Sequence, residues 1–361
     1  MFNKVPDFCK NILITGGAGF IGSCLIRKLL RSSDSIIYNI DKLGYASDLE
    51  SINREIKSLN YSNINRHKLI NIDISNKDLL AKAIKEIDPD FVFHLAAESH
   101  VDRSIDGPEI FVRSNIVGTF NLLEVLHDHY KNLVLERKKN FRFHHVSTDE
   151  VFGSIRLGAK FSEKSPYNPQ SPYSASKAAS DHLVRAWQAT YGFPITISNC
   201  SNNYGPWQQP DKLIPLIIYR AIRNETIPIY GNGENIRDWI FVEDHVNAIL
   251  NIAFKASEGS TYCVGGCSEY SNIEVANLIC DFLDKEIPKK HNYREQITFV
   301  DDRPGHDFRY AIDNSLISKN LKWQPNVSFE KGLKLTVKWY LDNLNWCDKF
   351  FKNNKNFNIL S

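Results

Sequence analysis

Up to Ser201, short apolar runs alternate with amphipathic stretches. Asn11–Thr15 (NILIT) has the unbroken apolar character of a strand covered on both faces. The same reading predicts strands at Ile36–Asp41, Leu69–Ser75, Phe91–Ala97, Phe141–Thr148 and Pro194–Ser201. Between them lie helix-period stretches. One starts at Ser23, one covers Lys77–Ile87 and stops before Pro89, one runs from Pro108 through Asn121 to about Tyr130, and one follows Ala178. Strands separated by helices predict a doubly wound, parallel α/β sheet.

Beyond Ser201 the texture changes. A polar loop (NNYGPWQQPD) precedes an apolar helical run from Lys212, and Ile227–Asn235 reads as a turn. Arg237–Val242 reads as a strand leading into a helix, Glu243–Lys255, and Tyr262–Gly266 as a return to the parallel sheet as its last strand. Helices near Asn272–Leu283 and Phe329–Trp346 complete a smaller, mixed α/β unit. The expected division is therefore 1–201, with return segments near 237–266, for the first domain, and 202–236 with 267–350 for the second. The Asn/Lys-rich tail, 351–361, is expected to be frayed.

The first strand runs into Gly16-Gly17-Ala18-Gly19-Phe20-Ile21-Gly22 and then a helix. Glycines at 16, 17, 19 and 22 let the backbone turn tightly, approach a pyrophosphate closely and aim helix N–H groups at it. The second strand ends in Asp41, placed to accept hydrogen bonds from an adenosine ribose and to repel a 2′-phosphate, which favours NAD over NADP. Asp73 lies near the end of the third strand and is a candidate for the adenine. In such sheets ligands lie beyond the carboxyl ends of the strands, and Gly16–Gly22, Asp41, Asp73, Ala96–Ser99 and Thr148–Glu150 all fall at such ends.

Ser147-Thr-Asp-Glu-Val-Phe-Gly153 and Ser171-Pro-Tyr-Ser-Ala-Ser-Lys177 carry the candidate chemistry. Thr148, Asp149 and Glu150 should sit where a strand stops, and Tyr173 and Lys177 on one face at a helix start. A Lys ammonium beside a phenol would lower the tyrosine pKa towards that of a general base. Adjacent carboxylates could divide acid and base duties if their surroundings push their pKa values apart. Tyr-x-x-x-Lys alone is weak, since Tyr38 and Lys42 repeat it in strand and loop. The order along the chain, strand then carboxylates then Tyr/Lys helix, gives it weight.

Composition narrows the partners. The 361 residues carry a formal net charge of +2 without a basic block, which argues against sequence-independent nucleic-acid binding. No long apolar run predicts a membrane span, and the first residues lack the apolar core of a signal peptide. Seven scattered cysteines fit a reducing cytoplasm, and neither they nor the histidines form a metal pattern. His144 and His145 should face opposite sides of a strand. Lys212, Arg237, Arg303 and His306 place cations in polar loops, and Arg suits a diphosphate.

These motifs, together with Asn39–Ala46 (NIDKLGYA), His94–Ser104 (HLAAESHVDRS), Ser198–Pro206 (SNCSNNYGP), Arg237–His245 (RDWIFVEDH) and Asp302–Asp307 (DRPGHD), closely resemble those of the dTDP-glucose 4,6-dehydratases. These are a branch of the extended short-chain dehydrogenase/reductase family, and the resemblance runs from Ile12 to about Trp346. It implies a Rossmann domain and a nucleotide-sugar domain, NAD as cofactor, a homodimer, a cytoplasmic enzyme and, usually, rhamnose synthesis. It implies that Phe20, Ile21, Asp41, Lys42, Leu43, Gly44, Asp73, Ile74, Leu95, Ala96, Ala97, Glu98, Ser99, Ser114, Tyr173, Lys177 and Asn203 contact NAD. Ser99, Thr148, Asn202, Lys212, Leu213, Ile214, Pro215, Pro228, Ile229, Tyr230, Arg237, Ser268, Asp302, Arg303, Pro304, Gly305 and His306 would hold the sugar nucleotide. Gly44 and Ser114 stand where the family generally has Thr, and Ser268 where it generally has Asn.

The resemblance also implies roles. Tyr173 takes the C4 hydroxyl proton during oxidation, Glu150 removes the C5 proton, Asp149 protonates the departing C6 hydroxyl, and the hydride returns to C6. Thr148 hydrogen-bonds the C4 oxygen and Lys177 holds the nicotinamide ribose. A nucleotide-sugar 4-epimerase would share the glycine motif, Tyr173 and Lys177 but has no need of Asp149 and Glu150. A non-catalytic NAD-binding regulator would be expected to lack the Tyr/Lys or carboxylate set, and this chain has both.

Overall fold

The computed structural model describes residues 4–59 and 65–353. Its strands are β1 (Asn11–Thr15), β2 (Ile36–Asp41), β3 (His67–Asn71), β4 (Phe91–His94), β5 (Arg142–Thr148), β6 (Ile195–Cys200), β7 (Asn202–Tyr204), β8 (Ile227–Tyr230), β9 (Ile236–Phe241), β10 (Thr261–Val264), β11 (Glu269–Ser271) and β12 (Ile297–Val300). Seven of them form one parallel sheet in the order β10-β6-β5-β4-β1-β2-β3, the doubly wound arrangement that the β/α alternation predicts.

Alternate side chains explain why β1 is apolar throughout. Ile12 and Ile14 pack with Leu25, Ile26 and Leu29 of helix Phe20–Ser32 and with Val246 and Ile249 of helix Val242–Lys255. Leu13 joins the opposite layer with Leu80, Ile84, Leu122, Leu126 and Trp187. Each such side chain contributes roughly 1.5–3 kcal/mol on burial. The register places Thr15 opposite both Ile40 and His94, and Thr148 opposite Cys200, so these strand ends share one edge. The order reverses at β1, which pairs with β2 on one side and β4 on the other. The glycine turn leaves the sheet at this switch point, where such folds bind ligands.

The remaining strands make two small sheets. In one, β9 pairs parallel with β7 and antiparallel with β11; in the other, β8 pairs parallel with β12. They enclose a third core that includes Tyr204, Ile217, Trp239, Leu283, Leu333 and Tyr340.

Several local expectations shift. Ile227–Tyr230 is a strand rather than part of a turn; the turn proper follows, with Gly231 and Gly233 at positive φ. A proline is tolerated there because β8 is an edge strand with one neighbour. The third strand stops at Asn71, leaving Asp73 in the next turn, where its Oδ1 accepts from the Ser75 N–H at 2.8 Å. The fourth stops at His94, because Leu95 and Ala96 bend over the glycine turn and donate to Thr15 at 3.0 and 3.4 Å. The helical stretch from Pro108 contains a π-helical segment, Val112–Val117, that turns the consecutive Ser114 and Asn115 both inward. Phe329–Trp346 breaks at Asn343 into helices Phe329–Asp342 and Leu344–Asn353. In the tail, 351–353 are helical; 354–361 lie outside the described residues. All seven cysteines are free thiols, and six are buried. No described helix is long and apolar enough to cross a membrane.

Candidate active site

The carboxyl edge of the sheet faces the small sheets across one cleft, a cavity of about 460 Å³. Its floor is the glycine turn. Gly16 has φ +74°, and a Cβ there would lie 2.6 Å from the Ala96 backbone; a Cβ on Gly22 would lie 2.2 Å from the Gly16 carbonyl oxygen. Helix Phe20–Ser32 starts after Gly19 with no side chain capping its first N–H groups, which leaves them for an anion. Asp41 is buried: its Oδ2 accepts from the Ala18 N–H at 2.9 Å, and its Oδ1 from the Leu43 N–H and the Ser47 hydroxyl, both at 2.8 Å. Of about four acceptor sites on a carboxylate, these three bonds leave one open. Lys42 donates to Ser114 at 2.8 Å and pairs with Glu98 at 2.7 Å. Asn115 holds the Glu98 backbone from both sides, accepting from its N–H at 2.8 Å and donating to its carbonyl at 3.0 Å. The cradle, the uncapped helix start and the acid at the end of β2 fit a dinucleotide.

Gly19, Phe20, Ile21, Gly44, Asp73, Ile74, Leu95, Ala97, Ser99 and Asn203 also line the cleft. Gly17 and Leu43 do not. Gly17 backs onto Asn39, to which its N–H donates at 3.0 Å, and Leu43 is left-handed and exposed.

The catalytic candidates meet at the end of β5. Thr148 caps a 3-10 turn, Asp149–Phe152, accepting from the Glu150 N–H at 3.3 Å and donating to Asp149 Oδ1 at 3.4 Å. Asp149 is 1% exposed, and its Oδ2 is buried without a partner. Burial, with the Glu150 and Asp238 carboxylates nearby, pushes its pKa well above the usual carboxylate range. Burial raises Glu150 too, but Arg303, Arg237 and Lys212 oppose the rise. Two adjacent carboxyls thus sit in different electrostatic surroundings, an arrangement that could divide acid and base duties.

Tyr173 and Lys177 lie in the first turns of helix Pro172–Tyr191. Ser171 and Ser174 form a reciprocal capping box, and Pro172 begins the helix. Burial pushes the Tyr173 phenol well above its usual pKa, and the Glu150 charge adds to this; a hydrogen bond with Thr148 opposes it. This corrects the expectation of a phenolate favoured by Lys177. The lysine instead donates to the Val146 carbonyl at 2.9 Å. Burial lowers the Lys177 pKa.

The far wall carries Asn202, Lys212, Leu213, Pro228, Ile229, Tyr230, Arg237, Arg303 and His306. Arg237 lies over the Tyr310 ring at 4.4 Å and donates to the Asp307 carbonyl at 2.9 Å. Arg303 donates to Asp102 at 3.1 Å. Burial and Arg303 push His306 down to about 4, so it is neutral near pH 7. Ile214, Pro215, Ser268, Asp302, Pro304 and Gly305 do not line the cleft. Ile214 and Pro215 are buried on the core side of helix Leu213–Arg223, and Ser268 donates to the Gly266 carbonyl at 3.2 Å. Asp302 accepts from the Arg303 N–H at 2.9 Å and pairs with His306 at 2.6 Å.

Sequence reasoning passed over Tyr45, His100, Asp102, Arg103, Asp211 and Tyr310, all of which line the cleft. Asp102 and Arg103 stand in the short helix Val101–Asp106 and the others in irregular segments, and the one signal was their place in or beside polar motifs.

A protein-family model described as GDP-mannose 4,6 dehydratase matches residues 13–336. A dTDP-glucose 4,6-dehydratase from Salmonella typhimurium is 50% identical, covering 93% of this chain and 94% of its own. The chain belongs to the dTDP-glucose 4,6-dehydratase family. A crystal structure of a dehydratase of that name from Streptomyces venezuelae, with NAD and dTDP bound, is 38% identical and superposes with a TM-score of 0.84 over 94% of this chain and 99% of its own. The enzyme of that name from Bacillus anthracis, in complex with NAD, is 37% identical with a TM-score of 0.81 over the same shares.

Proposed function

We propose that this chain catalyses the NAD-dependent dehydration of dTDP-glucose to dTDP-4-dehydro-6-deoxyglucose in deoxysugar biosynthesis. The half-identical dehydratases, named for the thymidine sugar, support that substrate over the guanosine sugar of the family model's description. The observation that supports the chemistry is the buried Asp149 carboxyl, its Oδ2 without a partner, beside Glu150, whose rise Arg303, Arg237 and Lys212 oppose.

Bound NAD supplies a hydride acceptor that returns the hydride within the same turnover, and its oxidised ring brings positive charge to the cleft. Gly16, Gly19 and Gly22 would hold its pyrophosphate, Asp41 its adenosine ribose, and Lys177 its second ribose. Tyr173, ionised once the positive charge of bound NAD stands against its burial, would take the C4 hydroxyl proton, and Thr148 would steady the charge on that oxygen. The C4 ketone acidifies the C5 proton, which Glu150 removes. Asp149, protonated, donates to the leaving C6 hydroxyl. Arg237, Arg303 and Lys212 are the cations available to a diphosphate. The enzyme acts as a cytoplasmic homodimer, most commonly for rhamnose.

Turnover in deuterated water tests this against a 4-epimerase. Dehydration yields a product lighter by one water and deuterated at C5; epimerisation yields an isomer of unchanged mass and no solvent label.

A further inference from the structure

Helix Pro172–Tyr191 carries a third polar residue on the face of Tyr173 and Lys177, at the next four-residue step: Asp181. It is fully buried, lies outside the cleft lining and has no part in the steps above. Its Oδ1 accepts from His145 Nε2 at 3.0 Å. Its Oδ2 accepts from the Tyr167 hydroxyl at 2.7 Å and from Asn199 Nδ2 at 3.0 Å. Tyr167 in turn accepts from Arg185 at 2.7 Å. Asn199 has a second bond: its Nδ2 also donates to the Thr148 carbonyl at 3.2 Å. One carboxylate therefore joins the helix that presents Tyr173 and Lys177, strand β6, and the end of β5 where the acid pair begins.

We propose that Asp181 is a positioning residue for the dehydration: its carboxylate fixes the Thr148–Glu150 corner through Asn199 and is the counter-charge of Lys177. The inference rests on the dehydratase reading above. A carboxylate buried without a direct cation is unfavourable unless hydrogen bonds satisfy it, and three donors do so here. An amide at this place presents one acceptor oxygen and an NH₂ that meets another donor. The groups facing Lys177 support the second half. His94 on β4 and His145 on β5 are neutral, both pushed down by burial, and the Cys200 thiol on β6 is pushed up by burial and stays protonated. Tyr173, on the same helix, has its phenol pushed up by burial and ionises only in the NAD-bound site. Asp181, held down to about 2 by His145, Lys177 and Tyr167 against its burial, is the charged neighbour that favours the ammonium.

Two variants separate the two halves, each assayed on dTDP-glucose beside the wild type. Asp181→Asn keeps the shape and removes the charge. Its kcat falls about tenfold or more at neutral pH, KM stays within about twofold, and the alkaline decline of kcat begins at lower pH, because Lys177 then gives up its proton sooner. Asn199→Ala cuts the tie to Thr148 and leaves every charge in place. Its kcat falls with KM little changed, and its alkaline decline coincides with the wild type's. A wild-type kcat in N199A overturns the inference. So does a D181N pH profile that superimposes on the wild type's, or a loss confined to KM. Should D181N not fold, N199A decides alone. If wild-type protein releases no water from dTDP-glucose, it is the dehydratase reading that falls.

Discussion

Asp149 and Glu150 are neighbours in sequence with different surroundings. Burial raises both; at Glu150 the cations Arg303, Arg237 and Lys212 oppose the rise and Asp307 adds to it, while at Asp149 the Glu150 and Asp238 carboxylates add to it and Arg237 opposes it. The proposed mechanism needs Glu150 ionised and Asp149 protonated. On that mechanism activity falls as pH drops through the raised Glu150 pKa. Arg303→Gln removes a cation that holds Glu150 down, so the acid limb of the kcat profile should move to higher pH; an unmoved limb excludes Arg303 from that control. Asp149→Asn should slow water loss roughly 100-fold or more, while the 4-keto sugar still accumulates in a quenched single turnover analysed by mass spectrometry. The identity of the acid pair was legible because the carboxylates follow a strand directly. The protonation state of Tyr173 was not. Four-residue spacing places Lys177 on its face, but only the packed structure shows that the ammonium turns to Val146 and that burial dominates the phenol.

Elements were readable where one face or both had to be apolar. The interior strands β1 and β2 and helix Lys77–Ile87 match their predicted bounds because both sheet faces are covered by helices. Reading failed at edges and irregular backbone. β3 and β8 are edge strands, where partial exposure blurs the pattern. The π-helical Val112–Val117 breaks the 3.6-residue period, so the inward turn of both Ser114 and Asn115 had no local signal. The glycine turn was legible as chemistry, and the structure adds the reason for each position. At Gly22 the neighbours of an added Cβ are backbone atoms of Gly16 and Gly17, at 2.2 and 2.8 Å, which cannot shift cheaply. Gly22→Ala should destabilise the fold by roughly 2–3 kcal/mol and lower the NAD retained on purification. Urea melts and nucleotide content measure both, and wild-type values in each would remove the steric argument.

Across the molecule, the two halves of the cleft are tied by residues to which the motifs gave no role. Tyr45, from the loop after β2, donates to Asp211 at 2.8 Å, and His100 pairs with the same carboxylate at 3.1 Å. Arg103 lies 4.2 Å over the Tyr45 ring, Gln209 donates to the Ala46 carbonyl, and Trp346 donates to Asp48. These pairs are 50 to 300 residues apart in order of magnitude, a separation that local pattern cannot bridge. Lys212, His100 and Tyr45 hold the Asp211 pKa down to about 2 against its burial. A depressed carboxylate contributes stability above its unfolded pKa that is lost as pH falls towards the folded value. Asp211→Asn should therefore cost roughly 2 kcal/mol at neutral pH, with the deficit shrinking towards pH 2; urea unfolding at neutral and acid pH checks this, and a pH-independent deficit would rule out the charge. The whole account turns on a hydride that leaves C4 and comes back at C6 while Asp149 and Glu150 expel water between. It is tested most directly with dTDP-glucose deuterated at C4, turned over in ordinary water and followed by mass spectrometry and NMR. The account predicts a product lighter by one water with the deuterium at C6. A product of unchanged mass with the deuterium still at C4, or a C6 carrying only solvent hydrogen, would contradict it.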